Sequence, residues 1–224
     1  MKFNASPRNT LGIEVESGIV DLSTLVLVPR SDDVLAELAE PHGDEHPKAK
    51  HEFYQSSIEV ITGICETVPE AGADLRATFD EVDEALAKRG LVLQPGGLHP
   101  FSAWHELSVT DKERYRGLER DLAGVARRLL ICGCHVHIGL GDDALRIDLM
   151  RQMPYFLPHL LALSTSSPFW QGEDTGLASY RISVFDNLPR TGLPPDYQSW
   201  AELQRSVGVL VDLGIIEDSS KIWW

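Results

Sequence analysis

No apolar run in this 224-residue chain approaches the roughly 18–20 residues needed to cross a bilayer, so no membrane-spanning helix is expected. The opening MKFNASPRNTLGIE has no basic stretch followed by an apolar segment, and no secretory leader is expected from it. Cysteine is scarce. Cys65, Cys132 and Cys134 are too few for a disulfide framework, and their odd number fits a reducing compartment, with the cytoplasm as the default. Positive charge is scarce as well: 20 Lys and Arg stand against 34 Asp and Glu, a net charge of −14. That balance argues against nucleic acid or an anionic membrane as partner, since both need clustered basic side chains. Nucleotide chemistry stays open, because metal ions can neutralise phosphates locally in an acidic protein. The motifs GxxxxGK[ST], GxGxxG after a strand, GxSxG and CxxC are absent, so any nucleotide must be held by metal ions and Arg rather than by a P-loop.

What remains is an ordinary globular mixture, 43% hydrophobic and 24% charged, long enough for one continuous core. Residues 10–20 alternate as a strand in their first half. Ser31 and the acidic turn behind it predict a short N-capped helix. After a polar loop over 41–50, residues 51–64 read as a strand or a bent strand pair. Leu75, Phe79, Val82 and Leu86 give residues 70–88 one apolar helical face, ending before Gly90. A short strand starting at Leu91 leads into a Gly/Pro loop. Thr110 and Glu113 form a capping-box pattern ahead of a helix carrying Tyr115, Leu118, Leu122, Val125 and Leu129. Strand alternation returns over 131–140, two helical pieces divided by Pro154 and Pro158 span 142–166, and 179–185 reads as a further strand. Trp200, Leu203, Val207 and Leu210 mark a last helix ended by Gly214. Strands and helices do not alternate strictly, which favours an α+β sheet covered by helices.

Four segments could carry chemistry. Glu14 and Glu16 share one strand face, as a solvated surface or as carboxylates held together by a cation. Glu59 faces away from Ile58 and Val60. Glu52, seven residues earlier, reaches the same face only if the chain turns near Gln55–Ser57, and is otherwise merely exposed. His135 and His137 share a face suited to a metal, while Cys132 and Cys134 point the other way as small core residues, which argues against a joint zinc site. Arg181, after a Gly/Pro-rich loop, needs an anion: a structural carboxylate, or the phosphate or carboxylate of a ligand. A carboxylate-rich donor set selects hard cations such as magnesium or manganese, and several carboxylates around such ions form a cradle for polyphosphate.

TLGIEVES, the E-x6-E of HEFYQSSIEVITGICET, GGLHPFSAW, ICGCHVHIGL, STSSPFWQGEDTGLASYRI and LPRTGLPPDYQSW occur here in that order. In this the chain resembles carboxylate–amine ligases of the glutamate–cysteine ligase type 2 (YbdK-like) family, over nearly its whole length. The resemblance implies a glutamine synthetase-like catalytic fold, a curved antiparallel sheet with helices packed on one face. It implies that Glu14, Glu16, Glu52, Glu59 and His137, with His135 beside them, bind catalytic magnesium or manganese. It also implies that Arg181 contacts phosphate or a substrate carboxylate. The expected reaction uses ATP to join a glutamate-like carboxylate to cysteine or another amine through an acyl phosphate, in the cytoplasm, with a homodimer the mild expectation. The alternatives are a non-catalytic nucleotide- or metal-binding form and a metal-dependent hydrolase built on His135 and His137. Family members continue past the KIWW terminus, through an Arg-containing segment and a later strand with another acidic ligand. Residues 1–224 are therefore expected to form a single catalytic domain lacking that portion.

Overall fold

A computed structural model of the chain describes residues 6–189 and 191–222. The reading of the opening residues up to Ala5, Arg190 of the LPRTGLPPDYQSW motif, and Trp223–Trp224 lie outside the described residues.

The organising element is β1 (Thr10–Asp21), a 12-residue strand. One edge pairs with β3 (Ser57–Ile61), which pairs in turn with β2 (Ala49–His51). The other edge is shared end to end by β5 (Cys134–Gly139), opposite residues 10–15, and β4 (Leu91–Gln94), opposite 18–21. Every ladder of this sheet is antiparallel. Alternation gives it two faces. Ile19, Ile58 and Val60, all fully buried, point to α1 (Ser31–Ala39) and α2 (Val68–Ala87), where they meet Val34, Val82 and Leu86. Burying one large aliphatic side chain contributes about 1.5–3 kcal/mol, so this layer fixes which way each strand faces. On the opposite face, Val20, Phe53, Tyr54 and Tyr115 form a second cluster beside α3 (Glu113–Leu122). The chain is thus α+β, with an antiparallel sheet and helices laid over it.

Beyond β5 run α4 (Asp143–Gln152) and α5 (Leu157–Ser164), divided by a 3₁₀ turn at Met153–Tyr155, as Pro154 and Pro158 foretold. A small hairpin, β6 (Phe169–Trp170) and β7 (Glu173–Asp174), precedes α6 (Arg181–Phe185) and α7 (Trp200–Asp212). Leu203 and Val207 of α7 pack on Ile147 of α4. Among the described residues no helix is long and apolar enough to cross a membrane.

Several local expectations fail for long-range reasons. Ser31 is the first helical residue rather than the cap, and its buried hydroxyl has no hydrogen-bond partner among the described residues. Thr110 does not cap α3: its hydroxyl donates to the Glu52 carbonyl (2.6 Å) and its N–H to the Phe53 carbonyl (2.8 Å). The α3 stripe stops at Leu122, because Ala123 turns to φ 44° and leaves Val125 and Leu129 outside the helix. Cys134 is exposed, not a core residue, because β5 is an edge strand whose other face also leaves Val136 and Ile138 open. Residues 179–185 are not a strand. Ser179 makes one isolated bridge to Ser167, and the chain then winds into α6, where Ser167 accepts the Tyr180 N–H on its carbonyl (2.9 Å) and the Arg181 N–H on its hydroxyl (3.2 Å). Seven residues of mixed β-branched and polar character do not separate one helical turn from a strand.

Candidate active site

Strand register assembles the acidic groups. Glu16 of β1 lies directly opposite Glu59 of β3, while Glu14 lies opposite His135 and Gly12 opposite His137 of β5. Cross-strand partners point to the same face, so these side chains share the surface turned away from α1 and α2. Glu52 arrives differently. It follows β2 directly, and the chain reverses over Gln55–Ser56 into β3, so the awkward spacing is absorbed by the turn that the sequence reading required. The two bonds from Thr110 pin this segment from outside, and a Glu52 carboxylate oxygen accepts the Phe53 N–H at 2.7 Å. Carboxylate oxygens of Glu16, Glu52 and Glu59 then lie within 4.8 Å of one another.

Such crowding has a cost. Burial, then the Glu16 charge, pushes the Glu52 carboxyl up to about 7, and burial, then Glu52, does the same for Glu59. Without a cation these carboxyls resist ionisation near neutral pH. An all-oxygen cluster of this kind is what a hard divalent cation takes, and the three carboxylates could hold magnesium or manganese. A cavity of about 340 Å³ opens here, lined by Glu14, Glu52 and Glu59 together with Lys50, Lys112 and Arg114; Lys50 is the cross-strand partner of Glu59. The three cations were not singled out from the sequence. The signal available was local, Lys48 and Lys50 in KAK and the Lys112 and Arg114 that flank Glu113, in a strongly acidic chain.

Glu14 stands between the histidines, with 3.3 Å to His135 Nδ1 and 3.2 Å to His137 Nε2, and both imidazoles are exposed. The ring centroids are 6.4 Å apart. Glu14 contributes repulsion at Glu52 and Glu59, so the Glu14–histidine group and the carboxylate trio are electrostatic neighbours. Arg181 comes from the first turn of α6 rather than from a strand. Its Nε donates to the Cys132 carbonyl (2.7 Å), and its guanidinium carbon lies 5.6 Å from the Phe185 ring centroid. Gly133 explains how it meets the acids: a Cβ there would lie 3.1 Å from Arg181 Nη2 and 3.3 Å from both Glu16 Oε1 and His135 Nε2. Three of the candidate side chains converge over one buried glycine, whose N–H also donates to Glu16 Oε2 at 2.7 Å. Burial and then the Glu16 charge push the neighbouring Cys132 thiol up to about 12, which disfavours a free thiolate nucleophile at neutral pH.

A second group, His42, His46 and Glu81, also brings ligand atoms within 4.8 Å of one another. The buried His46 accepts the Ala49 N–H (2.7 Å) and the Lys48 N–H (3.2 Å) on Nδ1. Its proton must then sit on Nε2, which faces Glu81 at 3.3 Å. Nδ1 is thus taken by two backbone donors, and these contacts clamp the turn into β2.

The acid pair carries a pH signature. Where folding raises a carboxyl pKa, the folded state binds more protons, and its stability falls as pH rises from about 4.5 through about 7. His46, His51 and His99 are lowered, chiefly by desolvation, and run the other way below 6.5. The acids are therefore isolated by comparing melting with and without magnesium. The rise in Tm on adding the ion is expected to be larger at pH 8 than at pH 5 by at least about 4 °C, the effect of ~1–2 kcal/mol in a chain of this size. Equal shifts at the two pH values, or none, would remove the trio as a cation site.

The architecture is shared with solved ligase structures. A bifunctional glutathione synthetase from Pasteurella multocida superposes with a TM-score of 0.75 at 16% identity, over 96% of this chain and 32% of that one. A glutamate–cysteine ligase from Francisella tularensis, solved with AMP, gives 0.67 at 14% identity, over 93% and 48%. At such identities the likeness defines the fold. Residues 10–224 match glutamate–cysteine ligase family 2 (GCS2), and the chain belongs to that family. Proteins provisionally named glutamate–cysteine ligase 2 are 55% identical in Jannaschia sp. (strain CCS1) and 51% identical in Ruegeria pomeroyi, each over 96% of this chain. The chain spans 56% and 55% of those relatives' lengths, about half of the curated proteins it matches.

Proposed function

We propose that this chain carries out ATP-dependent formation of a carbon–nitrogen bond between a glutamate-like carboxylate and an amine, cysteine or another. In this reading the Glu16–Glu52–Glu59 trio holds divalent cation, with Glu14, His137 and His135 contributing beside it. Magnesium or manganese, when bound, supplies positive charge that offsets the repulsion between a carboxylate and the γ-phosphate. Lys50, Lys112 and Arg114, which line the same cavity, take phosphate oxygens. A substrate carboxylate oxygen attacks the γ-phosphorus, the bond to ADP breaks, and an acyl phosphate forms. The amine lone pair then attacks the acyl carbon, the C–O bond to phosphate breaks, and the nitrogen loses its proton. Arg181, beside Glu16 and His135, stabilises charge on the transferred group. No enzyme nucleophile is used, in keeping with the neutral Cys132 thiol. Three free cysteines fit a reducing cytoplasm as the compartment.

The observation that carries this reading is that Glu52 and Glu59, two of the mutually repelling carboxylates, line one cavity together with three cationic side chains. That pattern suits a metal-bound polyphosphate and little else. Phosphate release from ATP is expected to require a divalent ion, a carboxylate and an amine together. Release unaffected by omitting both organic substrates, or none with all components present, would defeat the proposal.

A further inference from the structure

A second cavity, of about 440 Å³, opens beside α6 and differs in character from the acidic one. Trp104, Trp170 and Tyr180 wall it, and Arg128, Ser183 and Asn187 supply polar groups. Its walls are held in place. Trp104 and Trp170 pack against the buried cluster of Phe53, Tyr54 and Tyr115. The β6–β7 hairpin turns on Gln171 (φ 51°) and Gly172 (φ 84°), a two-residue turn with both φ positive, and the Gly172 N–H donates to the Pro100 carbonyl at 2.8 Å. The Trp170 and Tyr180 rings lie 6.1 Å apart at a 39° tilt.

Two features set the chemistry of an occupant. The cavity is lined by no Asp or Glu, in a chain of net charge −14. Among the described residues, the Arg128 side chain makes no ion pair or hydrogen bond. Next along the chain from Tyr180 is Arg181, whose guanidinium reaches toward Glu16, so adjacent residues serve the cavity and the acid cluster.

We infer that this cavity is the acceptor subsite and takes an α-amino acid with an aromatic side chain, its carboxylate on Arg128 and its ring against Trp170 and Tyr180. The inference rests on the ligase reading above. An uncommitted guanidinium in an aromatic-walled cavity matches a ligand with a carboxylate at one end and a flat apolar body at the other. The missing acids matter as much. An amine attacks only after losing its proton, and a carboxylate in the wall would hold it as ammonium. The volume lies in the ordinary range of ligand pockets, about 300–1,000 Å³, and exceeds what a side chain as small as that of cysteine fills. A purine base would leave Arg128 unanswered, and the cations suited to phosphates line the other cavity.

Quenching of tryptophan fluorescence by L-phenylalanine, L-cysteine, phenethylamine and adenosine, without ATP or metal, tests this on the intact chain. L-Phenylalanine is expected to bind at least tenfold more tightly than either phenethylamine or L-cysteine. Arg128→Ala should erase the preference over phenethylamine, and Arg128→Lys should keep part of it. Arg128 is exposed, so an unchanged Tm controls for folding. Equal binding of phenylalanine and phenethylamine, indifference to Arg128→Ala, or adenosine binding in their place overturns the inference. Because neither ATP nor magnesium is present, a failure here is distinct from a failure of ATP turnover, which would sink the ligase reading instead.

Discussion

Replacing Arg181 by Ala should lower ATP-dependent phosphate release about a hundred- to thousandfold while the Tm moves little. The magnitude is that of removing one preorganised donor from a site where charge develops. The geometry explains why Lys should not restore the rate. The guanidinium is used at two points, with Nε tied to the Cys132 carbonyl while Nη2 extends over Gly133 toward Glu16 and His135. An ammonium group is a single point charge and cannot do both. Stopped-time phosphate release at saturating ATP gives kcat directly. Activity within tenfold of the parent in Arg181→Ala, or full rescue in Arg181→Lys, would reduce this side chain to a structural prop for α6.

Glu59→Gln should produce two effects of opposite sign. Turnover is expected to fall by more than the 10–100-fold typical of losing an outer-shell partner, since a direct oxygen donor is lost. The metal-free chain should melt at a higher temperature near pH 8, because an isosteric amide removes a half-buried charge that burial and Glu52 both disfavour. Lys50, the cross-strand partner of Glu59, retains Glu45 at 3.4 Å. The stabilisation by magnesium should shrink in the same variant. A residue that merely supported the fold would lose stability and activity together, so a lower metal-free Tm would refute the assignment.

Much of how the candidate side chains face could be read without coordinates. Alternation placed Glu14 and Glu16 on one face, and the β-branched neighbours of Glu59 turned it away from the core, as Ile58 and Val60 at full burial confirm. The histidine pair was readable on the same ground. Glu52 was reachable only through the motif resemblance and the condition that the chain turn near Gln55. The strand assigned to 179–185 failed because its pattern is too short to discriminate, and the true determinant, the Ser167 carbonyl and hydroxyl, lies 12–14 residues away. Thr110 shows the same competition, since its hydroxyl serves the Glu52 segment instead of the local helix end.

What the sequence determined alone was periodicity: which side chains alternate, where helices break at Pro154 and Pro158, and which faces of β1 and β3 seek the core. Convergence belonged to tertiary structure. Whether Glu16 meets Glu59, whether Lys112 and Arg114 cross to the acidic wall, and whether Arg128 is left beside three aromatic rings depend on strand register and on loops packed from distant stretches. Alternation is a property of neighbouring backbone bonds, whereas a carboxylate cluster is a balance between burying apolar faces and tolerating like charges, settled only when separate segments share one space.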